Sequence, residues 1–211
     1  ALTAALSLTA SAQNWQQVGP PGGDVRSLAA DPRDARVIYL GTSDGHVFGS
    51  KDGGTRWQQL GRVGSPDTVV FTLMVDRRDS DVIFAGTWPL SGGKGGAWRS
   101  TDSGKTWKPA GLVGQTVRAL AQAPSNLDIL YAGTLDGVYR SRDDGKNWER
   151  ISPAGHPDLL NFDSLAVDPA DPNIIYAGTY HLAWKTTDGG RNWSPIHAGM
   201  IDDSDVMSLV L

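Results

Sequence analysis

The sequence predicts an all-β fold made of repeated four-stranded units, and two features of its 211 residues carry this prediction. The first is composition. Gly occupies 26 positions, and every acidic residue except Glu149 is Asp, so turn-favouring residues are abundant and helix-favouring Glu is nearly absent. The second is an internal repeat, because the dipeptide Gly-Thr closes an apolar, aromatic run four times at almost constant spacing. The glycines of these dipeptides are Gly41, Gly86, Gly133 and Gly178.

Each repeat predicts four short strands. An apolar stretch that ends in a turn precedes each Gly-Thr, and an aromatic strand and a polar hairpin that ends in Trp follow it. Four strands in about 40–50 residues are typical of a β-propeller blade. The predicted blades span about 24–61, 67–111, 115–155 and 161–200.

The two ends of the repeat predict incomplete blades. Residues 13–19 repeat the sequence of an outermost strand, and residues 205–211 repeat that of an innermost strand. Residues 13–211 are therefore expected to be the N-terminal part of a ring of about six to eight blades, monomeric when complete.

Composition also limits the function and the location. The formal charge of −4 without basic runs argues against nucleic acid as the main partner, and the absence of Cys excludes disulfides and thiolate metal sites. Residues 1–12 are uncharged, rich in Ala and Leu, and end in Ala10-Ser11-Ala12, which is typical of the end of a secretory signal peptide. This segment is too short to span a bilayer, which needs about 20 apolar residues. We therefore expect a secreted or periplasmic protein without a membrane span.

The four hairpins share the pattern S/T-x-D-x-G-x-T-W, with Asn147 and Asn192 where Thr is usual. This pattern resembles the Asp-box, or BNR repeat, of sialidase-like proteins, sortilin-type receptors, xyloglucanase-type hydrolases and photosystem II assembly factors. The resemblance implies a propeller whose boxes lie at the rim, away from the axial ligand face. The residue types predict a structural role, in which Asp accepts backbone hydrogen bonds and Trp packs between blades. The box residues concerned are Asp52, Asp102, Asp143, Asp188, Trp57, Trp107, Trp148 and Trp193.

Two aromatic residues have no aromatic equivalent at the same position of the other two repeats, so the repeat assigns them no structural role. Trp88 and Tyr180 both follow Gly-Thr directly, in the predicted loop between the second and third strands. The resemblance implies that this loop faces the ligand surface, and loops on a rigid scaffold commonly carry binding residues. Blade two also lengthens this loop with the Gly-rich segment 88–96.

A second candidate set lies on the innermost strands. One aligned position changes its character from blade to blade, while the residue before it is always apolar. We predict that its charged residues contact a ligand, with the alternative that Arg26 and Asp163 form an ion pair in the channel. His46 and His181 lie in the same loops as Trp88 and are further candidates for ligand contact. Without a third ligand at metal spacing they predict no metal site. The variable residues are Arg26, Phe71, Arg118, Asp163 and Met207.

Two functions remain open. The catalytic residues that a sialidase needs are missing from this sequence. The resemblance to xyloglucanase-type hydrolases implies a catalytic Asp at the position of Ser43, which leaves Asp44, one place along, as the candidate. The sequence favours a non-catalytic module that binds or assembles with a protein or polysaccharide on its axial face and needs no cofactor. The alternative is a glycoside hydrolase with part of its catalytic set outside this segment.

Overall fold

The computed structural model describes residues 19–20, 24–91, 95–201 and 204–211, and within them it contains strands and turns but no helix. The strands form four separate antiparallel sheets of four strands each, so the predicted all-β architecture is confirmed. The predicted leader 1–12 and residues 13–18 of the predicted outer strand lie outside the described residues and stay predictions.

The sheets follow the chain order, and each is a meander of four strands. Blade one contains β1 (Val25–Ala30), β2 (Ile38–Thr42), β3 (His46–Ser50) and β4 (Gln58–Arg62). Blade two contains β5 (Thr68–Val75), β6 (Ile83–Pro89), β7 (Gly96–Ser100) and β8 (Lys108–Pro109). Blade three contains β9 (Val117–Gln122), β10 (Leu130–Thr134), β11 (Val138–Ser141) and β12 (Glu149–Arg150). Blade four contains β13 (Phe162–Val167), β14 (Ile175–Thr179), β15 (Ala183–Thr186) and β16 (Ser194–Pro195).

The first strands of the blades are the innermost strands. β1, β5, β9 and β13 contact one another in succession, and together they line a central cavity of about 580 Å³. One leucine from each of these strands faces this cavity, and Leu209 of the C-terminal segment joins them. The four leucines are Leu28, Leu73, Leu120 and Leu165.

Blades pack through apolar clusters and through close approach at the repeated glycines. The Gly-Thr glycine has no room for a side chain, because a Cβ at Gly86 would lie 2.6 Å from Thr72 Cγ2 and 2.7 Å from Val117 Cγ1 of the next blade. The threonine that follows is buried and closes the hairpin to the third strand. Thr87 Oγ1, for example, donates to the Gly96 carbonyl at 3.0 Å. The repeated dipeptide is therefore a packing and turn signal.

The strand registers define two ends of the molecule. The start of each first strand pairs with the end of the second, as Val25 does with Thr42. The segments that enter the first strands therefore lie at the same end as the connections from second to third strands, and we call this end the loop face. The Asp-box hairpins lie at the opposite end, which we call the box face.

Each innermost strand has a β-bulge near the loop face. In blade one, Val25 pairs with Thr42 and Ser27 with Gly41, so the residue between them has no partner in the register. The same shift occurs in the other three blades. The residues skipped by the register are Arg26, Phe71, Arg118 and Asp163, which are the variable residues that the sequence singles out.

The structure corrects the placement of Trp88. The sequence places it in a loop, but Trp88 lies in β6, where it pairs with Val69 of β5. Blade two extends this ladder because β5 begins at Thr68, which pairs with Pro89. The lengthened connection therefore begins after Pro89, and residues 92–94 of it lie outside the described residues.

The C-terminal segment runs along blade four without forming a strand. The Val206 amide donates to the Thr179 carbonyl at 3.2 Å, and the Val206 carbonyl accepts from Ser164 Oγ at 2.7 Å. The second contact repeats the bond from Ser27 Oγ to the Val70 carbonyl between blades one and two. Val206 therefore occupies the position that an inner strand of a following blade would take.

Candidate binding face

The four Asp-boxes use the same hydrogen bonds. In blade two, Asp102 Oδ1 accepts from the Thr106 amide at 2.9 Å and Oδ2 accepts from Thr106 Oγ1 at 2.6 Å, while Ser100 Oγ accepts from the Gly104 amide at 2.9 Å. In blades three and four the side-chain amides of Asn147 and Asn192 replace the Thr hydroxyl as donors. The first box also departs from the pattern, because Arg56 Nε donates to Asp52 there.

These bonds keep the box carboxylates ionised. The Thr106 hydroxyl and amide hold the pKa of Asp102 at about 2, and Asn147 does the same for Asp143. A carboxylate with such a low pKa has little tendency to act as a general acid at neutral pH.

The box tryptophans connect neighbouring blades. Trp107 packs against the cluster that contains Tyr39 and Val47 of blade one, and Trp148 packs against Phe84 of blade two. Trp107 Nε1 also donates to the Gly104 carbonyl at 3.0 Å, so the ring is fixed at both edges. The geometry at the box face supports the predicted structural role.

Three consecutive blades expose an apolar side chain on the loop face. The residue after Gly-Thr is Trp88 in blade two, Leu135 in blade three and Tyr180 in blade four, with exposed fractions of 38%, 38% and 55%. We call these three residues the apolar arc. Their repetition at one position of the blade places them along a path around the axis.

Beside the apolar arc, Arg118 connects blades two, three and four. Its guanidinium carbon lies 5.3 Å from the centroid of the Phe71 ring and 5.9 Å from that of Trp88, and Nη1 donates to Asp163 Oδ1 at 2.7 Å. Three of the four bulge residues, namely Phe71, Arg118 and Asp163, thus lie in contact with one another through Arg118. The side chains of Arg118 and Asp163 are 23% and 8% exposed, so the pair is largely desolvated.

A second carboxylate lies next to this ion pair. Burial raises the pKa of Asp163, Arg118 opposes this effect, and the nearby carboxylate of Asp205 raises the pKa further. Asp205 precedes Val206 in the C-terminal segment, and the Leu182 amide holds that segment by donating to the Ser204 carbonyl at 2.9 Å. The carboxyl groups of Asp163 and Asp205 therefore lie within hydrogen-bonding reach of each other.

Asn161 fixes the other end of the apolar arc. Its amide donates to the Leu135 carbonyl at 2.9 Å, and its carbonyl accepts from the Tyr180 amide at 3.2 Å. Asn161 and Leu182 both have positive φ, 54° and 69°, a conformation that residues other than Gly rarely adopt. These two turns set the course of the backbone on either side of Tyr180.

The remaining predicted residues lie in local contacts. Arg26 pairs with Asp24 at 2.6 Å, so the predicted alternative of an ion pair between Arg26 and Asp163 is wrong. Asp163 instead finds its partner in the adjacent blade. His181 stacks edge-on against Tyr180, with 4.7 Å between ring centroids.

Asp44 and His46 form a hydrogen-bonded chain on blade one. Asp44 accepts from Thr42 Oγ1 at 2.6 Å and contacts His46 Nδ1 at 2.8 Å, while Arg62 Nη2 lies 2.7 Å from His46 Nε2. The Thr42 hydroxyl and His46 lower the pKa of Asp44. Asp136 takes the same position beside Thr134 in blade three, which indicates a turn-closing role for both carboxylates.

Sequence reasoning missed two residues of this face, namely Leu135 and Asp205. Leu135 could have been found, because it shares its repeat position with Trp88 and Tyr180. In the described part of the chain no three potential metal ligands cluster, and no helix there is long and apolar enough to cross a bilayer.

Solved structures with this fold are propellers of several kinds. An ancestral GH74 enzyme is 25% identical with a TM-score of 0.71, over 88% of this chain and 26% of that one. YCF48 from Cyanidioschyzon merolae is 17% identical with a TM-score of 0.62, over 86% of this chain and 59% of that one, and YCF48 has also been solved bound to D1 peptide. The extracellular domain of BT4673 from B. thetaiotaomicron is 14% identical with a TM-score of 0.65, over 88% of this chain and 24% of that one.

The chain thus spans about a quarter of the GH74 and BT4673 chains and just over half of YCF48. No curated protein matches it in sequence. The profile of the family described as sortilin, neurotensin receptor 3 (Sortilin-Vps10) matches residues 95–203, which is just over half of the sequence. The chain therefore belongs to the Sortilin-Vps10 family.

Proposed function

We propose that the chain is part of a secreted or extracellular propeller that binds a protein partner on its loop face without catalysing a reaction. The observation that carries this proposal is the apolar arc, in which Trp88, Leu135 and Tyr180 are exposed at one repeat position. A scaffold that only needed solubility would place polar residues there, as blade one does with Ser43. Rigid, exposed aromatic residues are common anchors in protein interfaces.

The face fits a polypeptide better than a sugar. A sugar ring stacks on a free aromatic face, but the Arg118 guanidinium already lies over the Trp88 ring. Leu135 adds an aliphatic surface, which favours apolar side chains over hydroxyl groups. The similar fold of YCF48 bound to D1 peptide supports a peptide ligand, and the extracellular domain of BT4673 supports the location.

The test is selection from a random peptide library, followed by measured affinities of the selected peptides for the whole chain. Tyr180→Ala should weaken binding about tenfold or more, whereas Lys105→Ala, a control on the box face, should leave it unchanged. Selected peptides that bind Tyr180→Ala as tightly as the unchanged protein would refute the loop face as the site. An oligosaccharide array probed in parallel would reveal a glycan ligand.

Glycoside hydrolysis is the second candidate, and the 25% identity with a GH74 enzyme favours it. It requires two carboxylates about 5–9.5 Å apart on either side of the scissile bond. Asp44 is tied to Thr42 and His46, and Asp163 lies against Asp205. We expect no release of reducing sugar from xyloglucan by the whole chain. Hydrolysis that disappears in Asp44→Asn would support this second candidate.

A further inference from the structure

Each junction between neighbouring blades has a cleft in which the third and fourth strands of one blade face the Asp-box hairpin of the next. The cleft between blades two and three is the largest, with a volume of about 560 Å³. Its equivalents measure about 220 Å³ between blades one and two and about 240 Å³ between blades three and four. We call the large one the outer cleft, and its lining includes Arg99, Lys108 and Ala110 of blade two and Asp144 and Lys146 of blade three. Its volume is in the range of small-molecule sites.

The size of the outer cleft follows from one side chain. Leu60 in blade one and Ile151 in blade three occupy the same repeat position and reach the box glycine of the next blade. A Cβ at Gly104 would lie 3.4 Å from Leu60 Cδ1. A Cβ at Gly190 would lie 2.7 Å from Ile151 Cβ. Blade two has Ala110 at this position, and its methyl group is too short to fill the same space.

The strands that border the outer cleft place two cations opposite each other. Arg99 of β7 pairs in the register with Lys108 of β8. In blade three the same two positions are Arg140 and Glu149, which form an ion pair of 2.7 Å. Like charges directly opposite each other on neighbouring strands are destabilising. Blade two therefore carries a cost that blade three avoids.

The carboxylate in the outer cleft does not balance these cations. Asp144 accepts from Arg99 Nη2 at 3.1 Å, but it also accepts from Arg78 Nη2 at 2.8 Å. Lys108 and Lys146 are exposed, and within the described part of the chain neither forms an ion pair. Arg99 Nε is buried without an acceptor. The outer cleft is thus rich in positive charge, although the chain as a whole has a formal charge of −4.

We propose that the outer cleft binds a small organic molecule through its sulfate or phosphate group, and that Arg99, Lys108 and Lys146 supply the charge that holds this group. Guanidinium and ammonium groups form their strongest hydrogen bonds with such oxoanions, and a cleft lined by one sign of charge concentrates counter-ions. The space that Ala110 leaves open accommodates the organic part of the ligand. This site is separate from the loop face and does not depend on the proposed function.

The experiment is isothermal titration calorimetry with the whole chain at constant ionic strength. The probes are glucose 6-sulfate, glucose 6-phosphate, inorganic sulfate, inorganic phosphate and neutral glucose. At least one ester should bind about tenfold or more tightly than its inorganic ion, because the sugar fills the space beside Ala110, and glucose should not bind. An inorganic ion that binds as tightly as its ester would overturn the organic ligand, and the absence of binding by both esters would overturn the site.

Two variants with different physical effects complete the test. Lys108→Glu recreates the opposite charges of Arg140 and Glu149, and Ala110→Leu fills the cleft without a change in charge. Each should weaken binding of the ester about tenfold or more. Both should melt at or above the temperature of the unchanged protein, so the loss does not come from unfolding.

Lys51→Glu is the matched control, since Lys51 is an exposed lysine beside the smaller cleft between blades one and two. It should change the affinity by about twofold or less. Unchanged affinity in both Lys108→Glu and Ala110→Leu would overturn the inference. An equal loss in Lys51→Glu would also overturn it, because the effect would then come from net charge and not from the outer cleft.

Discussion

Arg118 of blade three and Asp163 of blade four form an ion pair of 2.7 Å that crosses the boundary between two blades. Both residues are bulge residues of their innermost strands, so neither side chain is held by the regular ladder. The pair positions the two blades relative to each other at the loop face, where the apolar arc crosses the same boundary.

The first prediction concerns this pair. Arg118→Met should destabilise the protein by about 3 kcal/mol, because it leaves the Asp163 carboxylate buried without its cation. Adding Asp163→Leu should restore much of the loss, since the remaining charge is removed as well. Urea denaturation of both single variants and the double variant measures the coupling. Strictly additive effects would show that the two side chains do not interact.

Two tryptophans provide the second prediction. Trp88→Ala should weaken ligand binding about 30-fold while the melting temperature changes by only a few degrees, because Trp88 is partly exposed. Trp107→Ala should instead cost about 3–5 kcal/mol of stability, because this ring packs between blades one and two. Calorimetry and peptide binding separate the two cases. The assignment of Trp88 to the binding face would be wrong if Trp88→Ala lowered the melting temperature as much as Trp107→Ala.

The third prediction addresses the box in blade two. Asp102→Ala removes the acceptor for the Thr106 amide and hydroxyl, which should cost about 1–3 kcal/mol in chemical denaturation. Ligand binding at the opposite face should be unchanged once the variant is folded. A binding defect at unchanged stability would contradict the structural role of the box.

The fourth prediction is the acid stability of the boxes. The folded pKa of Asp52, Asp102, Asp143 and Asp188 is about 2, which is below the unfolded value of about 3.9. Their contribution is therefore fully present above about pH 4 and is lost as the pH falls toward 2. Thermal melting between pH 7 and pH 2 should show the steepest loss below pH 4. In Asp102→Asn this loss should be smaller.

The fifth prediction concerns close packing at the Gly-Thr dipeptide. Gly86→Ala should destabilise the protein, because the new Cβ would lie less than 3.0 Å from atoms of Thr72 and Val117. Gly19→Ala is the control, since nothing lies within 4 Å of a Cβ there. Melting temperatures of the two variants decide the matter, and equal values would mean that blades do not pack through Gly86.

The repeat explains what the sequence could predict. Strand alternation, Gly-Thr and the Asp-box depend on local hydrogen bonds and turns, so the all-β architecture was predictable from spacing alone. Partners across blades were harder to predict, because a repeat shows which positions are equivalent but not which side chains meet. The pairing of Arg118 with Asp163 was accessible in principle, since these opposite charges occupy one repeat position in consecutive blades. Trp88 was misplaced because nothing local indicates that β5 starts early.

The bulges have a consequence for how such a protein can diversify. A residue that lies outside the ladder can be exchanged without shifting the register of its strand, so the sheet tolerates Arg26, Phe71, Arg118 and Asp163 equally. Each blade thus offers one position at which a substitution leaves the strand register unchanged. A family built on this plan can vary the size and charge of these side chains one blade at a time, while its architecture stays the same.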